Sequence, residues 1–314
     1  MNYVPTSKKQ ITVVGSANVD LTFRSERFPN PGETISGTSM QQGMGGKGAN
    51  QAVVAARLGA HVSFVARVGK DGFGTQAIQA YQADGIDTAF VQQSEHQPTG
   101  TAAIMVDDAA ENCIIVVAGA NAELTPDDVR LATCIQDSAV VLCQLETPVK
   151  AAVAAFKMAR SAGALTMLTP APAENVTDEL LSLCEVGVPN RTEIASLVGQ
   201  SVDTSDDAIH AAKALQQRGV RTVALTMGNQ GVWVLDESGP VHIPAIKVDA
   251  VDTTGAGDAF TAALAVFLAD GLAAPEAATR AARVAAMSVM RPGTQTSFPT
   301  LEEVNAWDSS ARTC

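Results

Sequence analysis

Short apolar runs closed by Gly or turn residues alternate along this chain with Ala-rich segments of helical period. ITVVG, HVSFVARVG, SAVVLCQLE, ALTMLTPAP, VGVPN and TVALTMG are the runs; ANQAVVAARLGA, TQAIQAYQADG, VKAAVAAFKMARSAG and DAIHAAKALQQRG are the periodic segments. A continuous apolar run reads as a strand buried on both faces, and its alternation with helices builds a parallel sheet. The predicted fold class is therefore α/β, a mainly parallel central sheet covered by helices on both faces. Two stretches break the rhythm, NVDLTFRSERFPNPGETISGTSM and TGTAAIMVDDAAENCIIVVAGAN. Both alternate apolar with polar positions and carry turn residues, Asn30-Pro31-Gly32 and Asp107-Asp108. They predict short antiparallel strands joined as a small β-sheet lid, residues 17–41 and 99–118, on a body made of 1–16, 42–98 and 119–314. The polar close DSSARTC predicts a frayed end.

Composition narrows the partners. A formal net charge of -12 argues against a nucleic-acid backbone, because that affinity comes from Lys and Arg neutralising phosphates. An anionic ligand must then be held by contact-range features such as helix N-termini, single cations or a metal. No stretch approaches the length of a membrane span, and MNYVPTSKKQ leads into ITVVG without an apolar signal core, so a cytoplasmic protein with no membrane partner is expected. The five cysteines form neither a C-x-x-C pair nor a Cys/His cluster, which points to reduced thiols rather than a zinc site or disulfide framework.

The chemistry concentrates at predicted strand ends and helix starts. Gly43-Met44-Gly45-Gly46-Lys47-Gly48 matches the letters of a dinucleotide-binding turn, yet it does not directly follow a buried first strand. It is not a Walker A loop either, because Gly48 stands where Ser or Thr would ligate magnesium. Close backbone approach to a small polar ligand, with Lys47 and Asn50 as donors, fits better. Asn18 and Asp20 follow strand ITVVG two residues apart, so in extended chain they point the same way. An ionised Asp accepts two hydroxyls at once, which suits a sugar diol; a turn or cap pair is the equal alternative. Glu146 reads either as a cap of the helix VKAAVAAFKMARSAG or as a second polyol acceptor.

Asn190 and Glu193 have the spacing of a capping box; the functional alternative sets them against phosphates, with Glu193 reaching a magnesium ion through water. Thr226-Met227-Gly228-Asn229-Gln230-Gly231 reads as a turn or as a wall for a nucleotide. In VDTTGAGDAF, the run Gly255-Ala256-Gly257 offers free N–H groups on small residues at a helix start, an anion hole for a transferring phosphoryl group. Asp258 beside it is placed to accept a proton from an attacking hydroxyl, and the helix dipole favours its ionised form.

These pieces, in this order, resemble the ribokinase-like carbohydrate kinases over residues 10–305. Two segments carry the resemblance, GGKGANQAVVAARLGAHVSFVARVGKDGFG (45–74) and VDTTGAGDAFTAAL (251–264). It implies transfer of the γ-phosphoryl of magnesium-bound ATP to the 5-hydroxyl of D-ribose, with 2-deoxy-D-ribose or another pentose or a nucleoside as the near alternative. A non-catalytic sugar-binding regulator is the remote one. The resemblance implies a sugar pocket of Asn18, Asp20, Gly46, Lys47, Asn50 and Glu146, with Asp258 as base and Gly255, Ala256 and Gly257 as anion hole. It implies ATP contacts at Asn190, Gly257 and the loop Thr226, Met227, Gly228, Asn229, Gln230 and Gly231, and magnesium waters ordered by Glu193. A potassium site is implied at Asp252, Thr254, Ser288, Arg291, Gly293 and Ser297, several through backbone carbonyls, and a homodimer through the lid. The chain departs from the family in Thr169-Pro170-Ala171-Pro172, where Asn-Pro-Ala-Pro is usual, and in Arg191, where an acid is usual.

Overall fold

The computed structural model describes residues 9–109 and 111–310. Its strands, in chain order, are β1 (Gln10–Val14), β2 (Asn18–Arg24), β3 (Ser39–Gly45), β4 (His61–Gly69), β5 (Val91–Ser94), β6 (Gly100–Val106), β7 (Asn112–Val117), β8 (Val140–Cys143), β9 (Leu165–Leu168), β10 (Val186–Gly187), β11 (Thr222–Thr226), β12 (Val232–Asp236) and β13 (Gly239–Ile243). Nine of them form one sheet in the order β13-β12-β11-β10-β9-β8-β1-β4-β5. Every pairing from β11 to β5 is parallel, and only β12 and β13 at one edge run antiparallel.

Alternation within the strands divides the core in two. Ile11, Val13, Val140 and Leu142 face one layer with the helices Lys47–Arg57, Gly72–Ala83, Ala256–Ala269 and Ala274–Ser288. Val14, Val141, Cys143, Val223 and Leu225 face the other, with Val149–Ala162 and Ser205–Gln217. Successive side chains of a strand point to opposite faces, so a strand covered on both sides must be apolar throughout, as the runs are. The predicted α/β class holds.

The two stretches that break the rhythm form a separate four-stranded sheet, β3-β2-β6-β7. β2 pairs antiparallel with β3, and β6 with β7, as expected. The join between these pairs, β2 with β6, is parallel, because both strands leave the body in the same direction. β3 continues to Gly45, past the anticipated lid boundary, and delivers the chain directly into the Lys47 helix. Among the described residues no helix is long and apolar enough to cross a membrane. Asp308 to Ser310 continue the last helix, Leu301–Ser310; the remainder of the stretch anticipated to fray, 311–314, lies outside the described residues.

Candidate active site

The segments that follow the carboxyl ends of β1, β8, β10 and β11 carry Asn18 and Asp20, Glu146, Asn190 and Glu193, and the Thr226 loop, at the place where an open parallel sheet presents its ligand crevice. A cavity of about 160 Å³ opens there, walled by Lys47, Asn190, Glu193, Gly257 and Asp258 with Thr169, a residue not anticipated as part of the site. Thr226 and Gly255 also line it; Met227 to Gly231 are not among its walls and form the bend around the 3-10 turn Gly228–Gln230, closed by Met227 N–H donating to Gly231 O at 2.8 Å.

Glycines let the Lys47 helix approach the end of β1. Gly46 caps it at φ 88°, a left-handed conformation that favours glycine, and a Cβ on Gly48 would lie 2.5 Å from Ser16 N. This contact brings Ser16 between two segments. Its hydroxyl donates to Glu146 Oε2 at 2.6 Å and accepts from Gly48 N–H at 3.2 Å, while Lys47 N–H donates to the same Glu146 oxygen at 3.0 Å. Glu146 therefore does not cap the following helix, whose N-cap is Pro148 without a side-chain bond.

Asn18 and Asp20 share one face of β2, and their surroundings orient them differently. Asn121, buried in the turn Gly119–Glu123, donates to Asn18 Oδ1 at 2.7 Å and to Ala17 O at 3.2 Å, and accepts from Ala17 N–H at 2.9 Å. With its oxygen engaged, Asn18 presents its NH₂ as a donor. Asp20 has no protein hydrogen bond to its carboxylate among the described residues. Burial, and then the neighbouring Glu146, raise its pKa to about 6. Gly45 makes room for it, since a Cβ there would lie 2.2 Å from Asp20 Oδ2. One donor and one bare acceptor, side by side, match the alternating demands of adjacent hydroxyls.

At the other wall, Gly255 (φ 79°) is the N-cap of the Ala256–Ala269 helix, so Gly257 and Asp258 sit in its first turn. Nothing lies within 4 Å of a Cβ built on Gly257, which leaves that backbone open to an incoming group. Asp258 is buried, accepting from Asn50 Nδ2 at 2.9 Å and Gln51 Nε2 at 3.1 Å. The helix dipole does not prevail: burial raises its pKa, against Lys47, Asn50 and Gln51, which lower it. Lys47 is in turn raised, chiefly by Asp258, and so stays a cation within the cavity.

Asn190 and Glu193 form the capping box: Asn190 N–H and Nδ2 donate to the Glu193 carboxylate at 2.8 and 2.7 Å, and Glu193 N–H donates to Asn190 Oδ1 at 2.8 Å. Both nevertheless line the cavity. Burial raises the pKa of Glu193, although the Asn190 bond and Lys47 oppose it. Among the anticipated cation residues, Asp252 ties two loops together, accepting from Thr254 N–H at 2.9 Å and Gly293 N–H at 3.0 Å. Burial would raise its pKa, but these donors hold it below the ordinary value. The hydroxyls of Ser288 and Ser297 bond Ala285 O and Thr294 O, and the Arg291 guanidinium pairs with Glu303. What these three residues have left for an ion is their carbonyls.

Asn121, Ser16, Gln51, Gln144 and Gln295 escaped the sequence reading. Polar residues inside otherwise apolar or Ala-rich segments were the available signal, though such residues more often cap or solvate.

The chain as a whole is similar to known proteins. The model of the pfkB family carbohydrate kinases matches residues 8–301. A ribokinase of Mus musculus is 41% identical over 295 residues, 92% of this chain and 91% of that protein. A deoxyribokinase of Salmonella typhi is 36% identical over 299 residues, 95% of this chain and 98% of that one. The solved structure of Arabidopsis thaliana ribokinase complexed with ribose and ATP superposes with a TM-score of 0.89 at 33% identity, covering 95% of this chain and 98% of its own.

Proposed function

The chain belongs to the pfkB family of carbohydrate kinases, and from that premise we propose that it transfers the γ-phosphoryl group of ATP to the 5-hydroxyl of D-ribose, giving D-ribose 5-phosphate and ADP. The observation that carries this reading is one cavity wall holding Asp258, open backbone at Gly257 and a half-buried cation, Lys47. Asn18 donates to one sugar hydroxyl and Asp20 accepts from neighbouring ones, with Gly46, Asn50 and Glu146 completing the pocket. Asp258 takes the proton of the attacking hydroxyl; its raised pKa suits a group that must hold that proton afterwards. The anion hole is the backbone of Gly255, Ala256 and Gly257; Ala256 N–H already donates to Thr253 O at 3.2 Å, so the N–H groups of Gly255 and Gly257 are the ones left for the charge that gathers on the phosphoryl oxygens. Lys47 balances it. Asn190, with Thr226 and the turn that follows to Gly231, receives the nucleotide.

The donor set fits the metals the resemblance implies. Among the described residues no group of three or more His, Cys, Asp or Glu forms a metal cage, and magnesium needs none when phosphates and water supply most ligands. Glu193 would hold its water shell. When bound, magnesium neutralises phosphate charge. Potassium fits Asp252, the one anticipated residue offering a carboxylate, and the carbonyls of Thr254, Ser288, Arg291, Gly293 and Ser297; its role is to fix the two loops that frame the anion hole.

The lid supplies the oligomer. All six residues of β7 are exposed, and Ile114, Ile115, Val116 and Val117 are each more than half exposed, on an edge strand whose two faces are both apolar. Such an edge demands a cover, and a second lid of the same chain provides one in a homodimer. A cytoplasmic location belongs to the same reading; among the described residues no helix is long and apolar enough to cross a membrane.

A coupled assay of ADP production over a panel of sugars, with and without potassium, tests the proposal. D-ribose is expected to give the highest kcat/KM, and faster turnover of 2-deoxy-D-ribose would move the assignment to the deoxyribokinase activity.

A further inference from the structure

Both side chains that bond Asp258 are amides, and each is held by a second amide. Asn50 Nδ2 reaches Asp258 Oδ2 at 2.9 Å and Gln51 Nε2 reaches Oδ1 at 3.1 Å, so each carboxylate oxygen has one donor. Behind Asn50, Gln295 Nε2 donates to Asn50 Oδ1 at 3.1 Å; behind Gln51, Gln144 Nε2 donates to Gln51 Oε1 at 2.5 Å. All four amides are buried. Gln51 also bonds Thr169 Oγ1 at 3.0 Å, so its NH₂ group serves two acceptors.

A primary amide has a donor end and an acceptor end, and half a turn would set its oxygen against the carboxylate. Gln295 and Gln144 occupy the acceptor ends, which leaves only NH₂ groups to face Asp258. The arrangement carries a penalty at Gln144, whose own Oε1 is buried without a partner among the described residues. Gly15 gives that oxygen its space, since a Cβ there would lie 2.0 Å away. An unpaired buried acceptor is unfavourable, and calls for a use that the other end of the group fulfils.

We propose that Gln51, locked by Gln144, and Asn50, locked by Gln295, form a two-armed amide clamp that aims the Asp258 carboxylate at the substrate hydroxyl. Gln51, Gln144 and Gln295 are positioning residues, and the proposal rests on the reading of Asp258 as base. Charges facing Asp258 from other segments are Lys47, Glu146 and Glu193. The clamp adds none, so it sets direction and hydrogen bonding without changing the charge of the cavity.

Removing a donor to the ionised carboxylate raises its pKa, because only the charged form loses the bond. In Gln51→Leu, Asp258 is expected to titrate about half to one pH unit higher. kcat should fall about 10- to 100-fold, with KM for the sugar changed less than about twofold. Gln144→Leu should move both in the same direction but less. Because Gln144 acts only through Gln51, the double variant should lose no more than Gln51→Leu alone, a non-additivity that generalised loosening would not produce.

The test is a carbon-13 carboxyl titration of the whole aspartate-labelled protein, with the Asp258 signal assigned by Asp258→Asn, alongside pH profiles of kcat. An unmoved Asp258 titration in Gln51→Leu, or additive losses in the double variant, would overturn the clamp. If Gln51→Leu does not fold, Gln51→Met keeps the volume and is judged by the same titration. The titration needs no turnover, so a wild type that phosphorylates no sugar would overturn the kinase reading while the clamp is still decided.

Discussion

Asn121 fixes the orientation of Asn18 across 103 positions of sequence, through a buried 2.7 Å bond to Asn18 Oδ1. In Asn121→Asp the carboxylate can still accept from Ala17 N–H, but it can no longer donate to Asn18. The Asn18 amide then turns its NH₂ inward and its oxygen toward the sugar. KM for ribose is expected to rise about tenfold or more, the scale of one mispaired buried hydrogen bond, with thermal stability largely retained. Steady-state kinetics beside a melting curve check this.

Asp20 is the predicted conflict between stability and function. Its pKa of about 6 in the folded protein exceeds the ordinary carboxylate value of 3.8, so the folded state keeps a proton that the unfolded chain releases between these values. Stability falls as pH rises through that window, and the full penalty, about 3 kcal/mol, is present above it. Asp20→Asn should therefore raise Tm at pH 7, leave it nearly unchanged at pH 3.5, and abolish measurable ribose phosphorylation. Calorimetry at the two pH values decides the point.

Two neighbouring glycines should fail in different ways. Gly255 has φ 79°, and a Cβ there would come 2.8 Å from Thr294 Cγ2; Gly255→Ala is expected to destabilise the protein by about 1–2 kcal/mol or more. Gly257 lies in a helix with open space beside it, so Gly257→Ala should not lower stability. It should still slow turnover at least about tenfold, because the methyl group stands where the phosphoryl group approaches. Urea melts and kcat, measured in parallel, separate the two.

Asp258→Asn keeps the shape of the site and removes the proton acceptor. kcat is expected to fall about 10²- to 10⁴-fold with little change in KM. ADP production that continued undiminished would remove Asp258 from the role of base.

A charge on the outer strand of the lid should separate the proposed dimer. Ile115→Lys puts an ammonium on the exposed face of β7, where an apolar partner surface would have to desolvate it. Light scattering should then report a monomer with native far-UV circular dichroism.

The α/β class was legible because it depends on local patterning. Strands covered on both faces must be apolar throughout, and the runs ITVVG and SAVVLCQLE say so without knowledge of their neighbours. The Asn190 and Glu193 capping box was legible for the same reason, since its partners stand three residues apart. The parallel join of β2 to β6 was not, because pairing direction depends on how two distant insertions leave the body. Nor were the amides around Asp258. Asn50, Gln51 and Gln295 lie 208, 207 and 245 positions from the groups they bond, and an amide in a helix looks the same in sequence whether it faces solvent or a carboxylate. By itself, then, the chain's order of residues determined the layers, the small residues at the helix entrance and the acid beside them. Only the tertiary structure decided which donor meets which acceptor, because a hydrogen bond is chosen by distance and direction in space, and these are set by the topology of the sheet.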